Sequence, residues 1–252
     1  MKCSNFHELN QFKIEFHFLL IARCQTYSLL IMTFSATQHI LKEVDGSATF
    51  EFSSTRVICS VTGPIEVSRP RNEQPTKAHL SLSVRPATGV PTTREAYMEQ
   101  KLEKIISPMI NMEEYPSKEI QIVVQVLETG EREQFTCMEL AGAVNSLYLA
   151  LLSAGISLKA SFLSSFCACR DDSLIIRPKK HELDASTSHH VSVFSIIDGQ
   201  ASELLYSDSL GKTNEKEIFA ALHAISDDVN KMNDTVRETI LHSVADDYVW
   251  KF

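Results

Sequence analysis

The sequence predicts an α+β fold in which mixed sheets pack against central helices, and three observations carry that reading. Residues 120–127 read as a buried strand, because Ile120, Ile122, Val124 and Val126 alternate with Gln121, Val123 and Gln125. After the polar loop 128–134 comes 136–155, apolar on nearly every side through Leu140, Ala141, Val144, Leu147, Leu149 and Leu151. A helix of that composition is covered all round and belongs at the centre of a core. Strand patterns are then grouped before and after this helix, rather than alternating singly with helices.

Taken in order, residues 1–31 read as an extension of the domain that follows. Phe18, Leu19, Leu20 and Ile21, and then Leu29, Leu30 and Ile31, are apolar, but Arg23, Gln25 and Ser28 interrupt them. The runs fall short of the roughly 20 residues that span a bilayer. No cleavable secretory signal is evident. An amphipathic anchor is the alternative reading. A single domain over 32–252 is expected beyond it.

Asp45 and Gly46 turn the chain into an alternating strand at 47–53, a second follows at 55–62, and Gly63 and Pro64 are expected to close the hairpin. A polar loop covers 67–79, and a third strand, 80–84, stops before Pro86. Thr92 and Glu95 form a capping box opening a helix whose apolar face is Met98, Leu102, Ile105, Ile106, Met109 and Ile110, with Pro108 expected to kink or split it. Thr136 and Glu139 repeat the capping pattern at the central helix, and Gly155 supplies its left-handed stop. Strands are expected near 157–168, 173–177, 190–197 and 203–207, with a loop at 178–187 and a turn at Asp198 and Gly199. A third capping box, Asn214 with Glu217, opens a long amphipathic helix marked by Ile218, Leu222, Ile225, Val229, Met232, Val236 and Ile240. An interruption is expected near Asn233 and Asp234.

The formal net charge of −8 argues against a protein that coats nucleic acid unaided, but the charge is unevenly spread. Residues 67–94 carry Arg69, Arg71, Lys77, Arg85 and Arg94 against Glu73 alone. From Asp198 onward there are eleven acids and five bases. A basic loop on an acidic protein suits a local contact with backbone phosphates; a solvated loop paired with an acidic partner surface suits it equally. The six cysteines are scattered, and Cys167 with Cys169 is the one close pair, with no companion ligands. They read as buried thiols in a reducing compartment, and no metal or cofactor is expected. His189 and His190, side by side in a strand without carboxylate or thiol companions, read as structural.

A strand delivering a polar loop onto a helix N-terminus is a common anion site. Here the loop holds Glu128, Glu131 and Glu133 against Arg132. Three carboxylates repel phosphate, so an ordinary exposed loop is expected.

These residues resemble the RNase PH family, and within it the ring subunits of the eukaryotic RNA exosome. The resemblance spans about 45–206. It rests on Asp45, Gly46 and Ser47 with the strand 55–64, on Val84, Arg85, Pro86, Ala87, Thr88 and Gly89 leading to Thr92, Thr93, Arg94 and Glu95, and on the strand–helix unit 120–155. It implies two related βαβα halves and a six-membered ring of such domains threading single-stranded RNA. Active relatives shorten RNA from its 3′ end by phosphorolysis. They use an Arg-Thr-x-Ser run at the start of the central helix and an Asp on a strand of the second half. Here Thr136, Cys137, Met138 and Glu139 stand in the first place, and the second reads Ala185, Ser186, Thr187, Ser188, His189, His190, with Asp184 nearby.

The resemblance therefore implies a non-catalytic subunit without cofactor. Its partners would be other RNase PH-like subunits, RNA-binding cap subunits, an associated exoribonuclease and the RNA itself. Arg69, Arg71, Lys77, Arg85 and Arg94 would line the RNA path, and the protein would work in nucleus, nucleolus and cytoplasm. Two alternatives remain at this point. One is an autonomous phosphate-dependent exoribonuclease with Arg132 as a rebuilt phosphate cation, and the other a homo-oligomeric RNA-binding module.

Overall fold

The alternating run after Asp45 forms β2 (Gly46–Phe52), turns at Ser53 and Ser54, and returns as β3 (Thr55–Glu66). The computed structural model describes residues 34–170 and 173–247, so the extension read into 1–31 lies outside the described residues. Strand β1 (Phe34–Gln38) flanks β2, and β4 (His79–Arg85) and β5 (Lys118–Glu128) complete a five-stranded sheet in the order β1-β2-β3-β5-β4. Its neighbours are antiparallel except β4 and β5, which run parallel and are joined through α1 (Thr93–Ile106). Gly63 and Pro64 do not end β3 as expected. They sit in a register shift between Thr62 and Ile65, after which the pairing with β5 resumes. The Gly63 N–H there donates to Asp45 Oδ2 at 2.9 Å, which ties the bulge to the turn that opens β2.

The second sheet contains β6 (Ser161–Arg170), β7 (Ser173–Ile176), β8 (Ser188–Ile197) and β9 (Gln200–Gly211) in the order β7-β6-β8-β9, antiparallel throughout. A short helix, α3 (Lys180–Asp184), occupies the expected loop between β7 and β8. The last element among the described residues is α4 (Glu215–Asp247), which runs unbroken through Asn233 and Asp234. Asn233 is buried there, and its amide donates to the Gly199 carbonyl at 3.4 Å, so a residue that favours helix ends is held inside a helix by a tertiary partner.

Helix α2 (Cys137–Ser153) is the centre of the molecule, buried along nearly its whole length. It packs on β2 and β3 on one side and on β6 and β8 on the other. The approach to β2 requires glycine: a Cβ on Gly46 would lie 2.3 Å from the Ala150 carbonyl oxygen. Adjacent residues of β6 show the layering, because neighbours on a strand point to opposite faces. Ser164 Oγ donates to Ala141 O on α2, and Ser165 Oγ donates to Asp228 on α4. The layers are thus sheet, α2, sheet, α4. Across the middle, Phe34, Phe50, Phe52 and Phe166 form a continuous row of ring contacts with centroids 4.8–5.3 Å apart.

Where β6 extends beyond β7, Asn145 of α2 takes the place of the missing neighbour. Its amide donates to Ser164 O at 3.0 Å and accepts from Ser164 N at 2.8 Å. A fully buried Asn is thereby satisfied, and so is the strand edge.

Candidate functional site

Two capping boxes of the same form meet different fates. At α1 the box forms: Thr92 Oγ1 accepts from Arg94 N, and the Glu95 carboxylate accepts the Thr92 N–H at 2.7 Å. At α2 it does not. Thr136 makes no side-chain cap, and Glu131 supplies the acceptor instead. Its Oε1 accepts the Glu139 N–H at 2.9 Å, its Oε2 accepts the Met138 N–H at 3.1 Å, and the Cys137 thiol donates to Oε2 at 3.2 Å. The loop is therefore not the ordinary exposed connection that its composition predicts. Glu131 is only 5% exposed and fills the anion position of the helix N-terminus from within.

The loop is built to hold Glu131 there. The Gly130 N–H donates to Thr55 Oγ1 at 3.0 Å, and a Cβ on Gly130 would lie 2.2 Å from Ser54 Oγ, so the chain before Glu131 is pressed against the start of β3. Burial raises the Glu131 pKa, opposed by the two backbone N–H groups, the thiol and the charge of Arg94. Burial and the neighbouring carboxylate push the Cys137 thiol up, which leaves it a protonated donor.

Glu139, freed from capping, turns to Arg94. The guanidinium lies 2.7 Å from Glu139 and 3.4 Å from Glu95, and donates to the carbonyls of Glu133 and Phe135 at 3.1 and 2.9 Å. Glu139 is 1% exposed, and burial drives its pKa up to about 7 although Arg94 pulls it down. One cation thus binds the start of α1, the 133–135 loop and the start of α2. This departs from the expectation that Arg94 faces RNA: its side chain is turned inward and engaged. Arg69, Arg71, Lys77 and Arg85 are exposed and make no ion pair among the described residues. Arg69 and Arg71 flank and occupy a short 3-10 turn at Pro70–Asn72, Lys77 precedes β4, and Arg85 ends it.

The region expected to hold the catalytic acid lies beside this helix start. Asp184, at the end of α3, receives Arg132 at 3.0 Å, so the cation proposed for a rebuilt phosphate site is paired with a carboxylate. His189 meets the ring of Phe135 edge-on at 5.0 Å, and its Nε2 has no hydrogen-bond partner. His190 Nδ1 is 2.8 Å from Ser209 Oγ. Burial lowers both histidine pKa values, which favours neutral rings. Among the described residues no group of three or more His, Cys, Asp or Glu is arranged to hold a metal ion.

Residues 32–157 match the model of the 3′ exoribonuclease family, domain 1, and the chain belongs to that family, the RNase PH family. It is similar to the exosome complex component RRP46 of Saccharomyces cerevisiae, 37% identical over 219 residues that make up 85% of this chain and 98% of that protein. It is also similar to the exosome complex component Rrp41 of Archaeoglobus fulgidus, at 25% identity over 80% of this chain and 79% of that one. The crystal structure of rice Rrp46 superposes with a TM-score of 0.73 at 24% identity, covering 83% of this chain and 94% of that chain, and shares its fold.

Proposed function

We propose that this chain is a structural subunit of an exosome-type ring, lining the RNA path and performing no phosphorolysis itself. The names of its relatives, exosome complex components in yeast and archaea, support the assembly. The observation that carries the non-catalytic part is Glu131. A phosphorolytic site needs inorganic phosphate at the start of α2, and there two backbone N–H groups already bind a carboxylate of the same chain. A phosphate entering would have to displace Glu131 from those donors, and above about pH 7 it would also meet the charge of Glu139. Arg132, the cation that a rebuilt site would use, is paired with Asp184.

In this reading 32–252 is one domain, and Arg69, Arg71, Lys77 and Arg85 supply the backbone-phosphate contacts. Its neighbours are other RNase PH-like chains, with RNA-binding cap subunits and a separate exoribonuclease, in nucleus, nucleolus and cytoplasm. The test begins with gentle purification of the tagged protein, the native mass of its assembly and the identity of its companions. A mixed ring of related chains is expected, and a lone chain or homo-hexamer would overturn the assignment. The second measurement is release of nucleoside diphosphates from single-stranded RNA by the isolated chain with inorganic phosphate. Release that Arg132→Ala abolishes would establish the enzymatic alternative instead.

A further inference from the structure

Strand β4 is an edge of the first sheet, and its outward backbone groups can be counted. The Ala78 N–H donates to the Met112 carbonyl at 2.9 Å, and the Val84 N–H to Glu99 Oε1 of α1 at 2.8 Å. Strand residues alternate in direction, and β4 pairs with β5 without a register shift. The N–H and C=O groups of Leu80 and Leu82 therefore point the same way as those two, away from β5. No internal partner receives them among the described residues.

They face a groove of about 330 Å³ lined by His79, Leu80 and Leu82 on one wall and Ala96, Glu99 and Glu103 of α1 on the other. The stretch from residue 78 to 84 is roughly 20 Å at the strand rise, with both ends satisfied and the middle open. That is the form of a site for strand addition, in which main-chain pairing supplies affinity and alternate side chains supply specificity. The wall formed by α1 decides the specificity, because its charged groups are carboxylates. Glu103 is exposed, and Glu99 commits one oxygen to Val84.

We propose that this groove docks an extended segment of a partner protein, which pairs its backbone with Leu80 and Leu82 and turns lysine or arginine side chains onto Glu99 and Glu103. The segment becomes a further strand of the sheet, antiparallel or parallel to β4, held under α1. Its opposite side chains follow the outer face beside Ser81 and Ser83, which accepts small or polar groups.

The experiment uses the isotope-labelled full chain and two blocked octapeptides, one of alternating lysine and valine and one of alternating glutamate and valine. Amide hydrogen exchange at Leu80 and Leu82 is the readout. In the free protein both amides exchange faster than those of Ser81 and Ser83, which face β5. The lysine peptide is expected to slow both by at least about tenfold, as formation of two main-chain hydrogen bonds requires. The glutamate peptide leaves them unchanged. Glu103→Lys, at an exposed helix position, weakens the lysine peptide several-fold without moving the unfolding midpoint. Leu82→Pro removes one outward donor at a position where an edge strand tolerates proline, and abolishes the protection that remains readable at Leu80. Exchange at Leu80 and Leu82 that ignores the lysine peptide, equal protection by both peptides, or binding indifferent to Glu103→Lys would each overturn the proposal.

Discussion

Replacing Glu131 by alanine tests the central feature of the site. The carboxylate satisfies the N–H groups of Met138 and Glu139, both buried at the start of the most buried helix. A buried donor left without acceptor costs about 1–3 kcal/mol, so two leave a gross loss of roughly 2–6 kcal/mol. Part of that is returned, because burying Glu131 is itself unfavourable, as the raised pKa records. The expected net loss is about 3 kcal/mol, well above the usual effect of removing an exposed cap. Urea unfolding followed by far-UV circular dichroism measures it, in a buffer without phosphate. Repeating the series with about 50 mM phosphate adds a second reading. The emptied helix N-terminus takes up the anion and recovers about 1 kcal/mol if the variant binds it with a Kd near 10 mM, while the wild type gains nothing. Glu131→Gln keeps an acceptor oxygen and loses less. A variant within about 0.5 kcal/mol of wild type, or a wild type stabilised by phosphate as much as the variant, would refute the claim that Glu131 occupies the anion position.

The remaining predictions concern charge and close packing. Arg85→Glu weakens binding of single-stranded RNA by the assembled protein and lowers the steepness of its salt dependence, with unfolding unchanged. Arg94→Glu sets a third carboxylate against Glu139 and Glu95 and destabilises the fold itself by about 3–5 kcal/mol, visible as a lower urea midpoint before any RNA is added. Glu139 has a folded pKa of about 7, above its ordinary carboxylate value, so the folded form holds its proton more tightly than the unfolded one. Its contribution is complete below about pH 4.5 and is lost as pH rises towards 7, on the order of 3 kcal/mol. Stability measured from pH 5 to 8 should fall less in Glu139→Gln than in wild type; parallel profiles would refute the assignment. Gly46→Ala drives a methyl group into the Ala150 carbonyl and is expected to cost about 3 kcal/mol by thermal or urea unfolding.

Sequence pattern located the secondary structure well wherever the deciding contacts are local. The alternation of 120–126, the apolar face of α1 as far as Ile106, and the turn at Asp198 and Gly199 all depend on residues within a few positions, although α1 ends at Ile106 and Pro108 follows it rather than kinking or splitting it. The second capping box failed because its partners are distant. Thr136 and Glu139 have the same spacing as Thr92 and Glu95, but Arg94 claims Glu139 across the fold and Glu131 reaches the orphan N–H groups first. Glu131, read as one of three exposed carboxylates, is distinguished from Glu128 and Glu133 only by Gly130 pressed against Ser54 and Thr55. That approach of Gly130 to β3 is itself a contact of the folded chain, so no local pattern singles out Glu131. Continuation of β3 past Pro64 and of α4 through Asn233 likewise depends on Asp45 and Gly199, partners that no local window contains. The basic residues were legible as a cluster, but the inward turn of Arg94 was not, since a charge pattern carries no direction.

Asn145 has a consequence for how the chain is made. Its amide occupies the edge of β6 at Ser164 where the backbone of another molecule would otherwise add. A nascent strand with an open apolar edge is most dangerous while the rest of its sheet is unfinished. Here the residue that closes the edge precedes the strand by nineteen positions and rides on a helix. The guard leaves the ribosome before the edge it protects.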